Sequence, residues 1–344
     1  KNLHPLPKIR ILVNIFFNVN TNSLLAIRAV IFMVTACYFN AYSQQVDSDT
    51  EYFSQLDDYS HVAFNLTNRY NSFLLKPGNN KDGFSKYVSS SNRVFGIGFH
   101  LFNIGFGLSM PLGNATGNIK NVDLRSNITD RRWGLDFILQ KYKGYKSTVR
   151  REDVSYSNLT INGYYIVNFR KYSLPATANF LEIQNRNAGS LLGHVVFSRA
   201  RIGADSSLFT TNTSMSDTIS QLNGSRFFYA GVLPGYGYTF VKNSFFTNVS
   251  LSFGPVHVWE KYSFASLTTT DFSFEWLTIV QAVLGYNSKR FFYGISTRLS
   301  RLEVDYQALS INTSSWQIKM FLGVRFQEKG LFRRSITDIY KRKN

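Results

Sequence analysis

Ser315-Trp316-Gln317-Ile318-Lys319-Met320-Phe321-Leu322-Gly323-Val324-Arg325-Phe326-Gln327 alternates without a break. Trp316, Ile318, Met320, Leu322, Val324 and Phe326 form one wholly apolar set. Gln317, Lys319, Phe321, Gly323, Arg325 and Gln327 form a second set that is mostly polar or small. Successive side chains of a strand point to opposite faces, so the stretch is a strand with one greasy and one wet side. A soluble strand is typically about 5–6 residues long, and a tilted strand that crosses a bilayer needs about 9–11. This one is long enough to cross.

The same length and pattern recur upstream. Asn92–Met110 reads as a hairpin. In its first arm Phe95, Ile97, Phe99 and Leu101 oppose Gly96, Gly98 and His100. In its second, Ile104, Phe106, Leu108 and Met110 oppose Asn103, Gly105, Gly107 and Ser109. Glycine weakens an ordinary strand, and it suits a face that must leave room. Arg132–Lys143 sets Trp133, Leu135, Phe137 and Leu139 against Gly134, Asp136, Ile138 and Gln140. Further strands are expected at Ser60–Lys76, 119–127, Val154–Phe169, Leu191–Arg201, Arg226–Val241, Phe245–Lys261, Phe272–Tyr286, Arg290–Glu303 and Ser314–Gln327. The expected fold is all-β: a transmembrane antiparallel up-and-down β-barrel of about 12 strands, with 10 or 14 as alternatives. Ser173–Gly189 breaks the alternation. Pro175 suits a first helical position and Ser173 a cap, so a short helix is expected near 175–187. An even strand count places both termini on the periplasmic side. The longer connections, at 77–91, 111–118, 144–153, 202–225, 262–271 and 304–313, then fall outside.

The composition fits. Aromatic residues make up 16% of the 344 residues, with 31 Phe and 20 Tyr, and lipid-facing barrels carry aromatic girdles at both interfaces. Mean hydropathy is −0.14, which alternation explains, because only every second residue meets lipid. The net charge is +17. It stays positive once the four cations ahead of the first acid, Asp47, are set aside. Such a balance can serve nucleic acid, anionic headgroups or anionic solutes. No nucleic-acid motif accompanies it, so nucleic acid is not an expected partner. One cysteine excludes a disulfide framework. The five histidines show no HxxxH or HExxH spacing, and no metal or cofactor is expected.

Residues 1–43 read as an export signal with an upstream extension. Arg28 precedes an apolar run from Ala29, too short to span as a helix. Ala41-Tyr42-Ser43 predicts cleavage after Ser43. A competing reading takes Val34-Thr35-Ala36-Cys37 as a lipobox with Cys37 lipidated. Residues 44–59 are an acidic periplasmic segment, 60–327 the barrel, and 328–344 a basic periplasmic tail.

Several stretches carry a resemblance to a known family. They are Trp133-Gly134-Leu135-Asp136-Phe137 with Gln140-Lys141-Tyr142-Lys143-Gly144-Tyr145, Asn187-Ala188-Gly189-Ser190-Leu191-Leu192-Gly193, Ala204-Asp205-Ser206-Ser207-Leu208, Pro234-Gly235-Tyr236-Gly237-Tyr238, and Leu284-Gly285-Tyr286-Asn287-Ser288. In these the chain resembles the Bacteroidetes outer-membrane proteins grouped as domain of unknown function 4421. The resemblance implies an integral outer-membrane barrel. It implies no activity and supplies no catalytic residue.

Three functions are compatible with the sequence. The first is a small outer-membrane channel, transporter or structural component in contact with outer-membrane lipid and lipopolysaccharide, with a small anionic solute as a possible ligand. Its candidate lumen-facing residues are Asp136, Gln140, Asn162, Asn168, Asn248, Ser250, Glu275, Gln281, Arg298, Lys319 and Arg325. They either tune selectivity or fill the barrel as an internal network. The second is a lipid hydrolase or acyltransferase, for which His194 and Ser198 share a face but no acid follows in a recognisable motif; a non-enzymatic role is expected. The third is a soluble exported carrier, which would show the same alternation with the opposite sense.

Overall fold

In the computed structural model the apolar set of the 315–327 stretch faces outward. Trp316, Met320, Leu322, Val324 and Phe326 are 41–53% exposed, whereas Phe321 and Arg325 are 6% and 5% exposed. Apolar outside and polar inside is the sense of a barrel that meets lipid, and the opposite of a soluble carrier. The structure describes residues 51–56, 59–77, 84–89, 93–101, 104–112, 122–209, 220–265, 267–306 and 309–327. The export signal, Cys37, the Ser43 cleavage site and the basic tail lie outside them.

The strands are β1 (Phe53–Gln55), β2 (Tyr59–Pro77), β3 (Ser85–Ser89), β4 (Arg93–Leu101), β5 (Ile104–Pro111), β6 (Val122–Thr129), β7 (Trp133–Lys146) and β8 (Arg150–Ile166). After the helix α1 (Leu174–Ala178) come β9 (Glu182–Gln184), β10 (Ala188–Gly203), β11 (Leu222–Lys242), β12 (Phe245–Phe264), β13 (Thr268–Asn287), β14 (Phe291–Tyr306) and β15 (Leu309–Gln327). All pairings are antiparallel, and β15 closes on β2 along its full length, from Leu309↔Pro77 to Gln327↔Tyr59. Closure removes the unpaired edges that an open sheet would present.

Two different rings close this barrel. At the end that holds the start of β2 and the finish of β15, the terminal end, the wall runs β2-β4-β5-β6-β7 and has twelve strands. At the far end β3 bridges β2 to β7 directly, through Ser72↔Val88 and Ser89↔Tyr145, and the ring has ten. β5 and β6 are the two extra strands. They pair only over Ile104–Gly107 and part above it. β5 stops at Pro111, opposite the start of β4, with Leu112 N still donating to Arg93 O at 2.9 Å. The expected twelve strands are all present. Alternation left no signal for β1, β3 and β9, which are three to five residues long.

The far-end connections differ from expectation. Residues 147–149, 265–267 and 307–308 are all that separate three strand pairs, where loops of about ten residues were read. The strands themselves continue beyond the lipid band. Their inward residues stay apolar there (Tyr262, Tyr306, Leu309 and Ile311 are buried) while outward ones turn polar, as at Thr268 and Thr270. Only the connections after β2, β5 and β10 are long. The helix is also shorter than expected. Ser173 Oγ accepts a bond from Ala176 N at 2.9 Å and Pro175 sits in the first turn, but Glu182–Gln184 pairs with β1 as a strand.

Aromatic side chains mark both edges of the lipid face. Phe245, Tyr286 and Tyr293 pack together near the terminal end. Phe253 stacks on Trp276, and Trp259 packs at a tilt against Phe228, toward the far end. On β12 fourteen residues separate Phe245 from Trp259, about 46 Å of strand. At the ~40° tilt of such barrels that is about 35 Å of height, enough to cross the hydrocarbon core and reach the headgroups on each side.

Residues 204–209 fold back over the far end beyond this band. Arg151 donates to Asp153 (2.8 and 2.7 Å), to Ser206 Oγ (2.8 Å) and to Ser207 O (3.0 Å). Asp205 N donates to Asp153 Oδ2 at 3.2 Å, and Leu208 is buried. The Arg151 bond holds the Asp153 carboxyl down at about 2. A depressed carboxylate contributes above its unfolded value of about 3.9 and stops contributing as pH falls through its folded value. The protection factors of the 204–209 amides, which divide out the intrinsic pH dependence of exchange, should therefore be the same at pH 5 as at pH 7 and should fall between about pH 4 and pH 2. Asp153→Asn should show the low protection factors at every pH.

Candidate functional site

Three layers fill the interior. At the far end inward Phe73, Leu75, Tyr87, Tyr145, Phe227, Val256, Val258, Tyr262, Leu302 and Val304 form one apolar core. Tyr87 OH donates to Leu208 O at 2.6 Å, and Tyr145 OH to Asn71 Oδ1 at 3.0 Å. Among the described residues this core spans the lumen.

The terminal end is closed by the segment that carries α1. Tyr172 OH meets Asn248 Nδ2 at 2.9 Å. Asn287 Nδ2 donates to Ala176 O (2.9 Å) and Glu182 O (3.0 Å). Glu182 takes Arg131 Nη2 at 3.2 Å and the Ser173 hydroxyl. Arg325 reaches across from β15. Its Nε and Nη2 donate to Phe180 O at 3.1 and 2.5 Å, Nη2 also to Asn287 Oδ1 at 2.8 Å, and Nη1 to Ser288 O. Phe180 has φ 60°, a backbone state that costs an aromatic residue about 1–3 kcal/mol. Its ring stacks on Phe292 at 4.4 Å. Gly323 makes the space, since a Cβ there would overlap the Phe292 ring. The segment is a plug, and Arg325 is its latch.

Between core and plug lies a cavity of about 300 Å³. Arg69, Arg125, Arg298 and Lys319 line it, from β2, β6, β14 and β15, with Asp136 from β7. Arg298 Nη1 is 3.9 Å from Asp136 Oδ2. Asn162 donates to that carboxylate at 3.2 Å, and its carbonyl lies 3.2 Å from His194 Nδ1. One wall is thus an internally bonded chain, Arg298–Asp136–Asn162–His194. Lys319 belongs to no such chain. Its ammonium has no acid or hydrogen-bond partner among the described residues and faces the Phe321 ring at 5.7 Å.

The sequence-derived candidates separate into four groups. Asp136, Asn162, Ser250, Gln281, Arg298 and Lys319 line this cavity. Gln140 lines a smaller one above it, of about 90 Å³, and accepts from Asn158 at 3.3 Å. Asn248 and Arg325 serve the plug. Glu275 stands toward the far rim, where Asp305 N approaches it at 3.4 Å. Asn168 is not in the lumen: β8 ends at Ile166, and Asn168 is exposed in the following turn, donating to Gly189 O at 3.0 Å. Alternation fails there because the strand stops at Ile166, three residues before the expected end at Phe169. Arg69, Arg125 and His61 were missed. Extending the parity of β2 and β6 would have found them, since Arg69 shares its face with Thr67 and Asn71.

The chain is similar to the outer membrane protease OmpT from Escherichia coli, at 10% identity over 81% of this chain and all of that one, with a TM-score of 0.42. It is similar to the COG4313 outer membrane channel from Pseudomonas putida F1, at 12% identity over 82% of this chain and all of that one, TM-score 0.30. A third likeness, to the attachment invasion locus protein Ail of Yersinia pestis, has 10% identity over 78% of this chain and 99% of that one, TM-score 0.27. Likenesses this weak say nothing of activity. No curated protein matches the chain. Residues 47–326 match the family described as Domain of unknown function (DUF4421), and the chain belongs to it.

Proposed function

We propose that this protein is a gated outer-membrane barrel whose internal chamber receives a small anionic solute, with the termini on the periplasmic side and the plug controlling entry from there. The carrying observation is Lys319, set without an acid partner among the described residues into a chamber that also holds Arg69, Arg125 and Arg298 against the one lining acid, Asp136. Like charges confined away from bulk water disfavour one another, and an anion among them reverses the sign of the interaction. The far-end core and the plug support a closed resting state, so the mature protein should give no steady conductance in planar bilayers.

The reading is non-enzymatic. Ser198 Oγ bonds Thr160 Oγ1 (2.7 Å) and Asn158 Oδ1 (2.9 Å), while His194 bonds Asn162. None of these three contacts pairs a nucleophile with a base.

Calorimetric titration of the detergent-solubilised protein with inorganic phosphate, sulfate and small dicarboxylates tests the chamber. Lys319→Gln should weaken the preferred anion about tenfold or more, one lost charge-assisted contact being worth about 1.5–3 kcal/mol. Asp136→Asn should strengthen it. Failure of every anion to bind, or equal affinity in Lys319→Gln, would sink the proposal.

A further inference from the structure

The outer wall at the far edge of the lipid band holds a second basic feature, unrelated to the chamber. On five consecutive strands of the ring the outward residues in direct register are Lys141, Ser157, Arg201, Arg226 and Lys261. Arg201 and Arg226 stand opposite each other, and Arg226 opposite Lys261. Facing like charges on neighbouring strands, with Cβ atoms about 5 Å apart, are destabilising. Arg199, Arg201 and Arg226 are close enough to repel one another. Among the described residues no acid forms an ion pair with Arg201, Arg226 or Lys261.

The rows on either side give this cluster a place and a shape. Toward the membrane the next register row is Leu159, Arg199, Phe228 and Trp259, followed by Ile161, Phe197, Ala230 and His257. Arg226 and Lys261 therefore lie just beyond Phe228 and Trp259 on their own strands, and on β10 Arg199 stands between Arg201 and Phe197. Away from the membrane the next row is Ser155, Gly203, Gly224 and Ser263, all small. Together with Arg201 and Arg226 these four line an outward groove of about 310 Å³. A Cβ on Gly203 would meet only Ser155 Oγ, at 3.6 Å, so the groove is open above the charges. Two acids also line it: Asp153 is ion-paired with Arg151, and Asp205 lies close enough to act on the same guanidinium.

We propose that this groove seats the headgroup of a membrane lipid that carries more than one phosphate, with Arg201, Arg226 and Lys261 contacting the phosphates and the Phe228–Trp259 surface meeting the acyl chains. Charge complementarity calls for an anion, and Arg is suited to phosphate oxygens. Continuity with the lipid face selects a lipid over a free ion. With the termini periplasmic, that lipid is in the outer leaflet.

Native mass spectrometry of the mature protein in phosphatidylcholine nanodiscs tests this, with bis-phosphorylated lipid A, its monophosphoryl form and phosphatidylglycerol as probes. The expected order is bis-phosphoryl over monophosphoryl over phosphatidylglycerol. The triple variant Arg201→Ala/Arg226→Ala/Lys261→Ala should lose at least tenfold in lipid A affinity. Gly203→Phe, which fills the groove and keeps every charge, should lose a similar factor, and Asp205→Asn should gain. Lys289→Ala/Arg290→Ala, at the opposite end, should match wild type, and heat-modifiable migration checks that each variant is folded. No preference among the lipids, unchanged retention in the triple variant, or displacement of lipid A by millimolar inorganic phosphate would overturn the assignment.

Discussion

Replacing Arg325 by alanine should expose the chamber. The guanidinium makes four hydrogen bonds, two of them to the carbonyl of Phe180, and it lies 4.7 Å from the Phe292 ring centroid. Hydrogen bonds to charged groups contribute about 1.5–3 kcal/mol each, and a buried carbonyl left without a donor adds a further penalty. Phe180 also loses the contact that holds its left-handed backbone in place. A loss of about 3 kcal/mol from the closed state shifts the plug equilibrium roughly 150-fold. The chain has one natural cysteine, Cys37, so Ser250→Cys introduces a single reporter into the barrel. Its rate of reaction with a charged methanethiosulfonate reagent should rise by about two orders of magnitude when Arg325→Ala is added. An unchanged rate would mean that the chamber already communicates with solvent and that the α1 segment is not a closure.

A single arginine on the outer face should separate a membrane barrel from a soluble one. Leu251 lies midway between the aromatic edges of β12 and is 52% exposed. In a soluble protein an exposed leucine exchanges for arginine within about 0.5 kcal/mol. At the midplane of a bilayer the same change costs about 2–4 kcal/mol. Leu251→Arg should lower the urea-unfolding free energy in lipid vesicles by that amount. Lys261→Leu, at the edge of the band, should change it by less than 1 kcal/mol. Equal effects at the two positions would contradict the lipid-facing exterior.

The interior explains why some candidates serve and others do not. Lys319 and Arg325 are six residues apart on one strand and point the same way. One faces the chamber and the other grips Phe180, because the plug enters the barrel at the depth of Arg325. Asn248 and Ser250 divide in the same manner, two residues apart, with Asn248 bonded to Tyr172 and Ser250 lining the cavity. Facing is a property of parity, whereas role is a property of depth.

The sequence by itself determined the strand pattern, the even strand number, the capped turn at Ser173–Pro175 and the side of each strand on which Asp136, Asn162, Arg298 and Lys319 stand. All of these follow from local rules: a period of two along a strand, and a proline with a capping serine at a helix start. The tertiary structure alone decided which face meets lipid, since alternation carries no sign until the ring closes and one side becomes the inside. It also decided the change from twelve strands to ten, the plug, and the gathering of Arg69, Arg125, Arg298 and Lys319 around one cavity. Those four cations stand on four strands, and it is closure of β15 onto β2, with β4 to β7 completing the wall, that brings them together.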